Sequence, residues 1–326
     1  MSVVSGDLLE RQVKLLDARL NALERDALTR LDGSLKQSAA NLEREVQRLY
    51  KRAQEQLAQG QSAGAAIAEA RARILLQQVR GLLTITSGAP ADDTFTQLIR
   101  GTHAAGIDGA LSMLSPYERE LASMAGVTPV SAAAMATRVS GRLIDIGNAR
   151  VANAKARLAQ HGQDAARAIE RHVTDGLVRG TGWRKTARAI RQEVDITRYG
   201  AERIVRTESV AASDAARREA YSEAGVDAVQ VIVTMDSLLC GYCANRAGRV
   251  YKRGDIQLPF HPFCRCTTAP WRQEWQDLGL TDDAWAERHR RVSLERAAEP
   301  QKTGPSPSEV WRGLDSAPQP IWAPRL

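Results

Sequence analysis

All four cysteines of the 326-residue chain fall between residues 236 and 271, in the segment DSLLCGYCANRAGRVYKRGDIQLPFHPFCRCTTAPW. They stand as Cys240-Gly-Tyr-Cys243 and Cys264-Arg-Cys266, with His261 just before the second pair. Thiols and an imidazole gathered in one stretch, with no cysteine elsewhere, form a site that the fold has to assemble. Seventeen residues separate Cys243 from His261, close to the loop length of a zinc ribbon. Zinc takes four thiolate or imidazole ligands in a tetrahedron, and Cys240, Cys243, His261, Cys264 and Cys266 offer five. Cys-x-Cys is tighter than a usual knuckle, so His261 with one of Cys264 or Cys266 can complete the set. A structural zinc ion is one reading. Buried free thiols packing as small apolar groups, and disulfides formed in oxidising surroundings, are the other two. No βαβ pattern surrounds Cys240 and Cys243, which argues against a thioredoxin-type redox pair.

The rest of the chain reads as mainly helical, giving a mainly α fold with a small loop-rich β domain around the cysteines (α+β). Apolar residues step by four and three at Leu9, Val13, Leu16, Leu20 and Leu23. They resume out of phase at Leu28, Leu31, Leu35, Leu42, Val46 and Leu49, a heptad-like stripe on long amphipathic helices. Gly33 and the phase break predict two helices, or one that changes its partner. Residues 1–86 are therefore expected to form an assembly arm of amphipathic helices that either pack on their own chain or self-associate. SGAPADD at 87–93 reads as a loop, and 94–180 as an alanine-rich helical domain interrupted near Pro116 and Pro129. A helix from about Trp183 and a second from Thr197 to Ala224 lead to an alternating strand at Val229–Met235 and a short strand around Gly248–Tyr251. A domain over 181–275 thus carries the cysteines. The final part, 276–326, is a short helix followed by an extended tail, because six of the twelve prolines fall after residue 299. Trp311 and Trp322 lie in that tail and read as anchors for docking on another chain.

Three further features carry chemistry. Arg206-Thr207-Glu208 lies mid-helix, and turning each residue by about 100° puts Glu208 on the apolar stripe with Arg203 and Arg206 on the other side. A buried carboxylate needs donors, so Glu208 is either a structural pin or a general base. Arg184, Lys185, Arg188 and Arg191 form a basic run suited to phosphate contact, or a solvated helix face. The net charge of +7 permits DNA or acidic protein as partner. No run of apolar residues is long enough to span a membrane. MSVVSGDLLERQV shows no basic start before an apolar stretch, so no signal peptide is expected.

An Arg-Thr-Glu on a helix, then Asp236-x3-Cys240-x2-Cys243, then the block Pro259-Phe-His-Pro-Phe-Cys-Arg-Cys266, resembles the phage head morphogenesis family typified by protein F of phage Mu. The resemblance covers about residues 176–271. That family commonly has a second proline and an asparagine where this chain has Leu258 and Phe263. The resemblance implies a minor head protein of a tailed phage, without enzymatic activity. It implies a place in the virion, inside the capsid near the portal vertex, after assembly in the host cytoplasm. The implied partners are the portal protein or the major capsid protein, with packaged DNA as a further contact. A zinc-dependent hydrolase or nuclease using Glu208, and a DNA-binding module ejected with the genome, are the competing readings.

Overall fold

The computed structural model describes residues 3–60, 89–126, 132–178, 183–236 and 238–299. Trp311, Trp322, the rest of the proline-rich tail and the segment 61–88 lie outside the described residues. Among the described residues four long helices dominate: α1 (Gly6–Ala58), α2 (Ala89–Ala125), α3 (Ala132–Val178) and α4 (Trp183–Glu223). After them come β1 (Ala228–Ile232), α5 (Gly241–Ala244), β2 (Val250–Lys252), β3 (Thr267–Trp271), α6 (Gln273–Asp277) and α7 (Asp283–Ala298).

Several helical breaks expected from the sequence are absent. In α1 the buried positions run Leu9, Val13, Leu16, Leu20, Glu24, Ala27, Leu31, Leu35, Val46 and Tyr50. The stripe keeps its three-and-four spacing by passing through Glu24 and Ala27, while Leu23 and Leu28 are only half-buried. The apparent phase break followed the leucines, not the buried face. Gly33 meets no neighbour within 4 Å, so its cost is only the modest one of glycine in a helix. Helix α2 already begins at Ala89, inside the expected loop, since Pro90 sits in the first turn where no N–H is required. It also continues through Pro116. Helix α4 is one element over the expected junction near Thr197, because no proline interrupts it.

The chain forms two compact units, one of residues 1–23, 99–150 and 206–326, the other of 24–98 and 151–205. Within the second, Val46, Tyr50, Ile169, Val173 and Ile190 make a core cluster, and the Tyr50 hydroxyl lies 2.8 Å from Thr186 Oγ1.

The first unit holds the sheet and the cysteines. Its three strands lie in the order β2-β1-β3, all neighbours antiparallel. Pro270 pairs in register with Val229, which is tolerated because β3 is an edge strand. The same proline hides β3 in the sequence. All five residues of β1 are buried, so apolar residues occupy both its faces and the alternation seen in the sequence is not one of exposure. Helices α2 and α4 approach closely: a Cβ on Gly106 would stand 2.4 Å from the carbonyl oxygen of Ser213, a backbone atom that cannot yield without separating the helices. Tyr221 joins α4 to the sheet by donating to the Thr268 carbonyl at 3.0 Å. Tyr117 stacks on Trp275 with ring centroids 4.1 Å apart.

The start of α1 docks on the last helix. Val4 N donates to Leu280 O at 2.9 Å, Gly6 N to Asp282 Oδ2 at 3.0 Å, and a Cβ on Gly6 would collide with the Trp285 side chain at 2.1 Å. Helix α7 is tied in turn to the end of β1, where Val233 N donates to His289 Nε2 at 3.2 Å. The His289 ring stacks on Trp285. Burial pushes the His289 pKa down to about 4, against the weaker pull of Glu10. The folded state therefore keeps His289 neutral while the unfolded chain takes up a proton below about 6.5. This contribution is complete above pH about 6.5 and is lost as the pH falls towards 4, by up to about 3 kcal/mol. His289→Gln retains an acceptor for Val233 N. Its denaturation free energy is expected to lack this slope between pH 6.5 and 4 when measured beside the unaltered protein.

Candidate metal centre

The cysteine loops are placed by hydrogen bonds from outside them. Beyond β1, Thr234 Oγ1 donates to the Arg265 carbonyl at 2.8 Å. Asp236 Oδ1 accepts from Leu238 N at 2.8 Å and from Arg265 Nη2 at 2.7 Å, while its second oxygen pairs with Arg265 Nη1. One carboxylate thus orients the chain leading into Cys240 and grips, by a two-point fork, the residue between Cys264 and Cys266. From the other side, Asp214 of α4 accepts from Leu258 N at 3.1 Å, fixing the start of the loop that carries His261. Asp214 is itself paired with Arg218 Nε at 3.0 Å.

Cys240 caps α5: its Sγ accepts from Cys243 N at 3.5 Å, and the single helical turn brings the two sulfurs to one side. His261 and Cys264 are joined by a tight turn, Cys264 N donating to His261 O at 3.0 Å. Phe263 in that turn has φ of 61°. This left-handed conformation suits asparagine better than phenylalanine, which gives a backbone reason for the asparagine common in the resembling family.

His261 Nδ1 lies 2.8 Å from its neighbour's carbonyl, Pro262 O. An N–H there fixes the tautomer and leaves the Nε2 lone pair facing the thiols, as the outer hydrogen bond of a metal-binding histidine does. Nε2 is 3.1 Å from Cys240 Sγ and 3.0 Å from Cys243 Sγ. Cys243 Sγ is 3.9 Å from Cys264 Sγ. Two groups result, Cys240 with Cys243 and His261, and Cys243 with Cys264 and Cys266, each with ligand atoms within 4.8 Å. Cys243 belongs to both.

All four cysteines are free and buried. A hydrogen bond from Cys243, helped by His261, draws the Cys240 thiol down to about 4. Burial opposes ionisation of Cys264, yet bonds from Cys243 and Cys266 bring it well below the ordinary thiol range. Cys243 and Cys266 are pushed up instead, since neighbouring buried thiols do not all ionise together. Sulfurs that give up their protons on binding, beside an imidazole and shielded from water, are the donor set that zinc prefers. The Cys243–Cys264 spacing is near the ~3.8 Å that ~2.3 Å zinc–sulfur bonds give at a tetrahedral angle. The cluster could hold a metal ion.

With this geometry in view, the comparison with known families is informative. Residues 167–269 match the family model described as phage Mu protein F like protein. That stretch, about a third of the chain, is Mu F-like. The matched stretch takes in Asp214, Asp236, His261 and all four cysteines, and the likeness points to a phage head-related protein. No curated protein and no solved structure gives a significant match.

Of the other residues singled out in the sequence, Arg206 lines a small cavity together with Arg265 and Cys266. Glu208 is buried at 3% exposure, as its place on the apolar stripe implies. Arg206, assigned to the outer side of the helix, is buried as well. It donates to Asn21 Oδ1 at 2.8 Å and pairs with Asp17 at 3.3 Å, so α1 offers a polar strip that a helical wheel of α4 alone cannot reveal. Thr207 is half-buried beside them. Arg184, Lys185, Arg188 and Arg191 are exposed in the first turns of α4, and Arg191 pairs with Glu43 at 3.4 Å. No helix among the described residues is long and apolar enough to cross a membrane. Asp214 and Thr234 were not singled out in the sequence. For Asp214 the signal was present, as a carboxylate three and four residues before Arg217 and Arg218.

Asp236→Asn keeps the shape but loses the charge of the Arg265 fork. It is expected to lower metal affinity about 10- to 100-fold, the usual scale for a group orienting metal ligands. Competition with a chromogenic chelator measures this.

Proposed function

We propose that the protein is a minor head component of a tailed phage, placed at the portal vertex, in which a structural zinc ion closes the Mu F-like domain into a rigid knob. The observation that carries the reading is that the Mu F-like match encloses the whole cysteine–histidine cluster together with the groups that orient it. Cys240, Cys243, His261 and Cys264 would hold the ion, with Cys266 beside them as a spare thiol. Three thiolates and an imidazole fill a tetrahedron, and a filled tetrahedron has no open position for a reacting water.

A non-enzymatic role follows from that closure. The hydrolase alternative needs a general base within reach of the metal, and Glu208 is not among the residues lining the small cavity beside the cluster. The long helices and the proline-rich tail are then the parts that engage portal or capsid, and the knob gives them a fixed base.

Co-expression of the tagged protein with the portal protein of its phage tests this. A zinc-containing complex with the portal ring is expected, and Cys243→Ser, which removes the sulfur shared by both ligand groups, should lose zinc and portal together. Portal binding at full strength by zinc-free Cys243→Ser protein would contradict the proposal, as would hydrolysis of nucleic acid by the zinc-loaded protein.

A further inference from the structure

Three arginines of the first unit gather where no carboxylate meets them. Arg246 follows α5, Arg249 precedes β2, and Arg290 lies in the middle of α7. The elements adjoin: α5 packs on α7, Arg249 O accepts from Val231 N of β1 at 2.9 Å, and the end of β1 is bonded to His289, the residue before Arg290. Arg246 and Arg290 are each only 7% exposed. The Nε atoms of Arg246, Arg249 and Arg290 are all buried without an acceptor.

The Arg246 guanidinium lies 3.6 Å over the Tyr242 ring and donates to Tyr242 O at 3.0 Å, so its plane is fixed. Tyr251 lies among the three: Arg249 reaches its hydroxyl, and the charges of Arg246, Arg249 and Arg290 all act on it. Burial and then the like charge of Arg249 both disfavour the charged form of Arg290. Several other inward arginines of this unit have counter-ions: Arg206 has Asp17, Arg217 and Arg218 have Asp214, and Arg265 has Asp236. Among the described residues no carboxylate plays that part for Arg246, Arg249 or Arg290. Like charges held together under partial burial are unfavourable until an anion joins them.

We propose that Arg246, Arg249 and Arg290 form a binding site for a phosphate group. The three side chains come from three segments. A tetrahedral oxyanion offers acceptors in several directions and enough charge for more than one guanidinium, whereas a carboxylate is planar and is matched by a single fork. The phosphate is either a free ion or a phosphodiester of nucleic acid, and the net charge of +7 suits the polyanion. The site is separate from the basic run at Arg184–Arg191 and depends neither on the metal nor on portal attachment.

The test uses the full-length protein, the double variant Arg249→Met/Arg290→Met, and a control of equal charge loss, Lys252→Met/Arg291→Met, at exposed positions. Inorganic phosphate at constant ionic strength should raise the melting temperature of the unaltered protein and the control, and leave the double variant unmoved. Without phosphate, Arg290→Met should melt no lower than the unaltered protein, since a like charge has been removed. A merely structural arginine would lower it. In the second arm, a labelled DNA duplex should bind the double variant about tenfold more weakly, with a salt slope shallower by about one, against about twofold for the control. A phosphate response without that difference on DNA identifies the free ion as the ligand and supports the site. Equal losses in variant and control would overturn the proposal. So would binding of an acidic peptide but of neither phosphate nor DNA. Should the double variant fail to fold, an undiminished phosphate response in Arg249→Met alone would overturn it too.

Discussion

The segments 233–248 and 254–266 contain almost no ladder hydrogen bonding, so side chains have to hold them to each other. Two groups do this. Asp236 grips the Arg265 guanidinium and the Leu238 amide at once, and Cys243 brings the turn of α5 against the His261–Cys264 turn through its sulfur. Without them the small sheet would carry two loose loops, and three such short strands are too few to be stable by themselves. With them, the loops become a platform on which β1 and β3 close. The zinc reading extends the same logic, since a metal ion would replace weak thiol contacts by bonds that must all be kept together.

The helices supply what the loops cannot. Asp214, buried beside Arg217 and Arg218 in α4, holds Leu258. Tyr221 holds β3, and α7 holds the end of β1 through His289. The first turns of α1 are committed to α7 through Val4, Gly6 and Glu10. The helix that carries the amphipathic arm therefore begins inside the cysteine-bearing unit.

The cysteine–histidine site and the helical character of the chain were legible because each rests on residue type and spacing. Cys240, Cys243 and His261 lie within ligand reach of one another, as do Cys243, Cys264 and Cys266, and Glu208 is buried. What was not legible depends on neighbours from distant sequence. Arg206 looks solvent-facing until Asp17 and Asn21 of another helix are beside it. Strand β3 is concealed by Pro270, which only an edge position permits. The helical breaks near Pro116 and Thr197 were inferred from local punctuation, and helix packing overrode it; near Leu23 the chain stays one helix, the second of the two arrangements its phase break allowed. Asp214 and the unpaired arginines around Tyr251 have meaning only once their surroundings are known.

The central claim is that three thiolates and one imidazole of this cluster hold a zinc ion. X-ray absorption at the zinc edge, on protein purified from zinc-supplemented cells without chelators, tests it most directly. The account expects one zinc per chain, with a first shell of three sulfurs near 2.3 Å and one nitrogen near 2.0 Å. Protein that folds and remains stable with no bound metal, or a shell of nitrogen and oxygen without sulfur, would contradict it.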